Sequence, residues 1–520
     1  MKKIIGKKYY RIVFRNTSPL SIGKGESELT DQDILLDSSG KPYIPGSALA
    51  GVYRSMFEAE NKETANTYFG YVEMPKGKEE EQQSIESLLM IYDAVMPLGI
   101  EQNIHIVSRD MVALDEYKTA KDGAKFDFQV LEPGVQFVTY IEQNITKECD
   151  KDGKKETSLY HEDIAGKIAK AFCEGKLHIG SKTTRGFGRV EAEEIHVAEF
   201  SFENESAGET SYGVEEWLDF SMYENPEKPS SCWKKVNQKD NTLPELNDEM
   251  NRLHITMELK QAGGISIRRY STKENEADYE QLTIRKSEIK DGKMQYKEIP
   301  VIPGTSWAGA FHAQMLKLYS AYDTVENAAQ ELKLFFGDVK GKKEKAADGE
   351  ASGKAYYKSR ISFEESQIDD AREATYTRNA IDRFSGAAAD SALYTEKTWF
   401  DGKTKLEIVY DNLTAYAADS EEGKRQKRFL QTLAAAITDL KEGYMAVGGL
   451  TAVGRGLFTC EKITLQCGKQ SAVTKELKNN QIVEEDAGSS RVSNEMDSVY
   501  QWLITEFDNM AKMQNDESEQ

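Results

Sequence analysis

The sequence predicts an α+β protein made of two tandem copies of one unit, each a ferredoxin-like or RRM-like sheet packed against helices. Three observations predict it. "IPGSALAGVYRSMF" at 44–57 returns as "IPGTSWAGAFHAQM" at 302–315, with Pro45 and Pro303 258 residues apart. Phe69-Gly70 returns as Phe336-Gly337, and "IGSKTTRGFGRV" at 179–190 returns as "VGGLTAVGRGLF" at 447–458, where Gly180, Gly186 and Gly188 precede Gly448, Gly454 and Gly456 by 268 each. Both copies read strand, helix, strands, helix, strand, an order compatible with a sheet that serves widely as a platform for single-stranded RNA.

The elements follow in order. "YYRIVFR" at 9–15 alternates as a strand does. Tyr43 and Ile44 end a strand, Pro45-Gly46 breaks it, and Ser47 is expected to cap a helix whose first turn carries only small residues. Such a free helix start can pack on a sheet or bind a phosphate. "AGKIAKAFCEG" (165–175) and "RFLQTLAAAITDLKEG" (428–443) have helical spacing and stop at glycine. "RVEAEEIHVAEF" (189–200), "LHITMEL" (253–259) and "GLFTCEKITLQC" (456–467) are β-rich. The first unit is therefore expected at 1–205 and the second at 249–468. A polar linker at 206–248 carries Trp217, Tyr223 and Trp233, which favour docking over floating. The tail, 469–520, ends in a helical stripe of Met496, Val499, Leu503, Phe507 and Met510, expected to pack on the second unit.

Composition narrows the function. Apolar residues make up 39% of the 520, and no apolar run approaches the roughly 20 needed to cross a bilayer. The start "MKKIIGKKYYRIVF" enters a strand pattern without a signal-peptide core, so a cytoplasmic location with no membrane partner is expected. Five scattered cysteines and six histidines without metal-ligand spacing support neither a disulfide framework nor zinc. A net charge of −21 argues against indiscriminate nucleic-acid binding. The acids collect in "KGKEEEQQSIE", the linker, "DSEEGK" and the tail, whereas Lys182, Arg185, Arg189 and Arg455 gather on the glycine motifs. Arg268, Arg269, Arg285 and Lys286 flank an acidic stretch, and Arg360, Arg372, Arg378 and Arg383 surround "RNAIDRFSG". A basic groove on an acidic body fits this distribution, although any single arginine is as well explained by solvent or a neighbouring acid.

The paired Pro-Gly helix starts, the Phe-Gly pairs, "RNAIDRFSGAAADSALYTEK" at 378–397 and the closing glycine loops resemble the RAMP superfamily. More narrowly, the chain resembles backbone subunits of type III CRISPR effector complexes, with two RAMP domains fused. That resemblance implies RRM-like cores with β-hairpin thumbs, placed at 108–134 and 377–402, that bind a CRISPR guide RNA, engage complementary target RNA and assemble with other type III effector subunits. Met111, Val112, Phe384 or Leu393 would be either base wedges or hairpin core residues.

The resemblance also gives "TDQDILLD" a role. An aspartate in the loop before the Pro-Gly helix start would serve target cleavage, and Asp31 occupies that place, with Asp33 and Asp37 at even spacing on one face of an extended segment. A carboxylate there can hold hydrated Mg²⁺ or Mn²⁺ at the phosphate, or orient the ribose 2′-OH. Acids before a turn are equally what a solubilising loop looks like. In the second unit Asp278 is the counterpart and Glu280 its substitute, but Asp278 is 25 residues before Pro303 where Asp31 is 14 before Pro45; the surplus reads as a hairpin turning at Asp291-Gly292. RNA contacts carried over from the family are Ser47 and Arg54, with Thr305 and Ser306 in the repeat; Lys182, Thr183 and Arg185 with Thr451 and Arg455; and Arg378 and Arg383 on the second thumb. Arg54 corresponds to His312, a departure that weakens the contact. The resulting expectation is a metal-dependent endoribonuclease cutting target RNA at one or both units. The alternative is a non-catalytic guide-binding scaffold, and a guide-processing ribonuclease using His178 or His312 lacks an evident companion residue.

Overall fold

The computed structural model describes residues 2–23, 31–73, 83–99, 102–114, 120–149, 156–157, 162–203, 212–237, 242–246, 251–269, 277–290, 293–337, 358–414, 416, 420–468, 470–477, 481–486, 489–493 and 498–518. It is a mixed α/β chain with antiparallel sheets that divides into two compact units. The first comprises Met1–Met111, Phe126–Thr183 and Phe187–Asn247; the second comprises Val112–Lys125, Thr184–Gly186 and Asp248–Gln520. No helix among the described residues is long and apolar enough to cross a membrane.

In chain order the elements that matter for the first site are β1 (Lys2–Asn16), α1 (Gly46–Glu60), α2 (Lys62–Phe69), the hairpin strands β2 (Ile106–Leu114) and β3 (Ala120–Leu131), β4 (Gln136–Cys149), α3 (Ile164–Cys173) and β5 (Arg189–Ser201). β1 is central: Tyr10 pairs with Val197 of β5 on one side and Ile141 of β4 on the other. Its alternation puts Tyr10, Ile12 and Phe14 into the core, where Phe14 meets Phe172 of α3 at 4.8 Å and Tyr53 of α1 closes on the same ring. Each such side chain contributes about 1.5–3 kcal/mol on burial. Asn61 caps α2 and Asp163 caps α3. The segment after β5 belongs to this unit: Trp233 is buried beside Tyr9 and Phe200, and the Trp217 indole donates to the Tyr9 hydroxyl at 3.1 Å.

The second unit repeats the plan with β6 (Leu253–Gln261), β7 (Tyr279–Gln281), β8 (Thr283–Lys290), β9 (Lys293–Ile302), α4 (Gly304–Tyr319), α5 (Val325–Phe336), the hairpin strands β10 (Arg372–Ile381) and β11 (Ala388–Phe400), β12 (Lys403–Tyr410), α6 (Glu421–Lys441), β13 (Phe458–Cys467) and α7 (Val499–Ser518). β6 lies between β12 and β13, with Met257 opposite Leu406 and Ile463. Its core takes Trp307 and Phe311 from α4 and Phe429, Leu433 and Ile437 from α6. α7 adds Val499, Trp502, Leu503, Phe507 and Met510 to that core; Met496 lies outside the described residues. β8 and β9 pair antiparallel and are the surplus before Pro303; the turn residues 291 and 292 are likewise outside the described set.

One local expectation is corrected. Ser47 does not cap α1: the helix begins at Gly46 after Pro45, and the Gly46 N–H donates to the Asp93 carboxylate at 2.7 Å. A carboxylate at a helix N-terminus is favoured by the helix dipole, and this one leaves Ser47 exposed in the first turn. In the second unit Pro303 precedes Gly304, and the N-cap residue makes no side-chain capping bond. Glycine is required at both starts, since a Cβ would fall 2.4 Å from the Ile91 carbonyl oxygen at Gly46 and 2.1 Å from that of Phe363 at Gly304.

Candidate catalytic sites

The first site is built on the outgoing strand of a hairpin. Phe126, Phe128 and Val130 alternate along β3 and pack with Phe187 of the glycine loop, which fixes the strand. Residues 31–34 run parallel to it, with Gln32 opposite Phe128. The Asp31 N–H donates to the Asp127 carbonyl at 3.1 Å, and the Asp127 N–H donates to the Asp31 carboxylate at 2.9 Å. One oxygen of Asp31 is thereby pinned to the strand, and the side chain stays exposed.

The second site repeats this geometry. The Thr395 N–H of β11 donates to the Asp278 carboxylate at 2.7 Å, and β7 continues parallel to β11, with Tyr279 opposite Glu396 and Glu280 opposite Lys397. Asp127 and Thr395 are 268 residues apart, the same interval as the glycines. On the other side, Gly23 pairs with Ile34 and Arg268 with Gln281, each partner three residues beyond its aspartate. Asp31 therefore matches Asp278, and Asp33 matches Glu280. The structure thus resolves which acid of the longer second loop corresponds to Asp31.

The glycine loops match dihedral by dihedral. Gly180, Lys182, Gly186 and Gly188 have φ of 92, 59, 79 and 80°, and Gly448, Leu450, Gly454 and Gly456 have 90, 54, 80 and 72°. Each loop is anchored on the segment that leads to its aspartate: the Ser181 N–H donates to the Ser21 carbonyl at 2.9 Å, and the Gly449 N–H to that of Ser266 at 2.7 Å. At Gly188 and Gly456 a Cβ would stand 1.9 Å from the carbonyl oxygen of Ile179 or Val447, so the loops close tightly only with glycine there.

The other sequence-marked residues fall into distinct settings. Asp37 accepts from Ser39 and Lys41, an Asx turn whose Lys41 N–H is the largest of the contacts holding its carboxyl below the ordinary range. Arg54 donates to the Gly70 carbonyl and, at 2.6 Å, to Asn66, tying α1 to the end of α2. Arg185, counted with the second unit, donates to the Phe336 carbonyl at 3.1 Å, and burial lowers its pKa. Arg455 is buried against Glu396 at 3.1 Å, with Arg378 at 3.7 Å from the same oxygen. Thr183 and Thr451 sit in the 3₁₀ turns of the loops, and Thr305 and Ser306 in the first turn of α4. Arg383 lies by the tip of the second hairpin beside the fully exposed Phe384, in a turn held by the Asp382 carboxylate. Lys182 stands over Phe126 and Phe128, and burial lowers its pKa. Composition and motif gave no sign of Asp127, Thr395 or Glu396; the 268-residue interval, extended into the hairpins, would have found them.

The donor set can be tested for a divalent cation. Asp31 and Asp278 each keep one carboxylate oxygen without a protein partner among the described residues. Neither belongs to a cluster of three ligating groups; the cluster found among the described residues is Glu194, His196 and Glu227, on β5 and the segment after it, where Lys235 and Arg11 already contact Glu194. A single carboxylate fits Mg²⁺ or Mn²⁺ held mainly by water and substrate phosphate, and does not fit a closed protein cage.

The chain matches the family model described as RAMPs, RAMP superfamily, over residues 13–191 and 294–459, together more than half of its length. Among solved structures it is similar to a chain from the cryo-EM structure of the Type III-B Cmr-beta bound to cognate target RNA, at 18% identity and TM-score 0.27, covering 37% of this chain and 60% of that one. It is also similar to a chain from the apo state of Type III-B Cmr-beta, at 11% identity and TM-score 0.25, covering 36% of this chain and 96% of that one. The chain thus spans 60% of the length of the first of these. No curated protein matches.

Proposed function

This chain belongs to the RAMP superfamily, and on that premise we propose that it is a backbone subunit of a type III CRISPR effector complex that binds guide RNA and cuts complementary target RNA at both units. In this reading the cores are RRM-like, the hairpins β2–β3 and β10–β11 are thumbs, and the glycine loops lie along the RNA. The observation that carries it is the matched pair of aspartates, each pinned by one backbone N–H of the outgoing hairpin strand and each presenting its other oxygen to solvent. Both carboxylates keep that register although the spans from aspartate to Pro-Gly helix start differ, 14 residues to Pro45 and 25 to Pro303.

The pinned oxygen fixes the carboxylate plane, so the other oxygen can accept the proton of a ribose 2′-OH held beside it. The 2′-oxygen then forms a bond to phosphorus, the bond from phosphorus to the 5′-oxygen breaks, and that oxygen takes a proton from water. The products carry a 2′,3′-cyclic phosphate and a 5′-hydroxyl. A bound Mg²⁺ or Mn²⁺ would neutralise charge on the phosphate at either carboxylate.

The test is cleavage of labelled target RNA by the complex assembled with its partners and guide. Asp31→Ala is expected to remove one product and Asp278→Ala the other, each by at least about 100-fold, with target binding retained. Unchanged products from both variants would leave the scaffold reading.

A further inference from the structure

Next to the strand residues that hold each candidate carboxylate stands a cation on an aromatic ring, and the two cations come from positions that do not correspond. In the first unit it is Lys182, whose ammonium is 4.5 Å from the centre of the Phe126 ring and 4.6 Å from that of Phe128. Those phenylalanines flank Asp127, the residue whose N–H pins Asp31. The matching loop position in the second unit is Leu450, with the same left-handed backbone and no charge.

In the second unit the cation is Arg268, whose guanidinium lies 4.0 Å from the ring centre of Tyr279, the residue after Asp278. Its Nε is also 4.0 Å from where a Cβ on Gly449 would stand, so it reaches the loop next to Leu450. The position matching Arg268 in the first unit is Gly23, which has no side chain, and the Gln32 amide fills the space a side chain would enter, 1.9 Å from where a Cβ would stand. Gln32 in turn occupies the place of Tyr279. Each unit thus carries one such cation next to the residues that pin its aspartate, supplied by the loop in the first and by the facing strand in the second. Among the described residues neither cation is paired with a carboxylate, and Lys182 is half-buried over its two rings.

We infer that Lys182 and Arg268 are interchangeable phosphate-holding cations, each binding the scissile phosphate of the target strand beside its own aspartate. This rests on the proposed cleavage function and adds to it a residue in each site. Attack by the 2′-oxygen concentrates negative charge on the non-bridging phosphate oxygens, and a fixed cation at that place stabilises the transition state more than the bound RNA.

The experiment uses the assembled complex with guide and a labelled target, following the two products separately under single turnover. Lys182→Met is expected to slow the Asp31-dependent cut by about tenfold to a hundredfold and Arg268→Met the Asp278-dependent cut likewise, each leaving the other product and target affinity unchanged. Lys182→Arg should retain the first cut. Leu450→Lys should restore the second cut in the Arg268→Met background, because it returns the charge from the other wall, and a merely structural role for Arg268 would not be rescued. Full-rate cuts in both methionine variants, a uniform loss of RNA affinity, or failure of the Leu450→Lys rescue would overturn the inference. If instead Asp31→Ala and Asp278→Ala leave the products unchanged, the cleavage reading itself fails and this inference falls with it.

Discussion

Under the first hairpin Phe128 meets Phe187, with ring centres 5.7 Å apart; under the second, 268 residues on at both positions, Glu396 meets Arg455 at 3.1 Å. All four side chains are buried. The aromatic pair sits among Val107, Met111, Phe126 and Val130, whereas Arg455 lies over Phe400 and Tyr376, and Glu396 also draws Arg378. One backbone thus accepts an apolar or an ionic anchor at the point where the hairpin supports its aspartate. The two anchors differ in kind. The aromatic contact is non-directional and tolerates exchange of similar shapes. The ionic one holds orientation but leaves a charge stranded if either member is lost.

The largest break should come from Arg455→Met. It leaves Glu396, only 1% exposed, without its buried partner, and Arg378 at 3.7 Å compensates in part because its own side chain is 37% exposed. A loss of about 3–5 kcal/mol is expected for the second unit. Hydrogen exchange should rise in β10 and β11 and stay unchanged in β2 and β3, and because Thr395 precedes Glu396, the proposed Asp278-dependent cut should weaken with it. Protection unchanged in β11 would mean that the ion pair does not anchor the hairpin.

Phe128→Leu is the milder counterpart in the first unit. It keeps an apolar side chain in the same cluster and should cost about 1–2 kcal/mol, with a small rise in exchange confined to β3. An effect as large as that of Arg455→Met would show that both anchors depend on shape alone, which would erase the contrast.

Much of this architecture is legible in the sequence because repeated glycines need a left-handed backbone and repeated Pro-Gly helix starts need close approach, and those constraints survive divergence. Asp31 is legible for a related reason, since its distance to Pro45 is undisturbed. Asp278 is harder, because β8 and β9 are inserted before Pro303 and the second span matched by the family model begins only at 294. The anchors are not legible at all: nothing in a one-dimensional pattern pairs Phe128 with Phe187 or shows that Arg455, a basic residue on a glycine loop, is buried on a glutamate. Arg54 and Arg185 resist sequence reading similarly, because a backbone carbonyl partner leaves no trace in side-chain chemistry. Ser47 has a good cap's composition but lies one residue inside a helix that Asp93, 46 residues later, caps through space.

The smallest expected effect is also the sharpest test, because it asks whether the second anchor can be converted into the first. Glu396→Phe alone leaves Arg455 buried without its acid, and Arg455→Phe alone leaves the acid without its buried base, so each single variant should destabilise the second unit by about 3 kcal/mol or more. In the double variant no uncompensated buried charge remains. The new rings face each other as Phe128 and Phe187 do, with Tyr376 and Phe400 completing an aromatic cluster, and Arg378 can turn to solvent. Stability should return to within about 1 kcal/mol of the starting protein, giving a coupling energy of several kcal/mol across the cycle, measured by denaturant unfolding of the full chain with exchange read over β11. Simple addition of the two losses would mean that the second hairpin needs the directionality of its ion pair, and that the matched backbones are not interchangeable in energy.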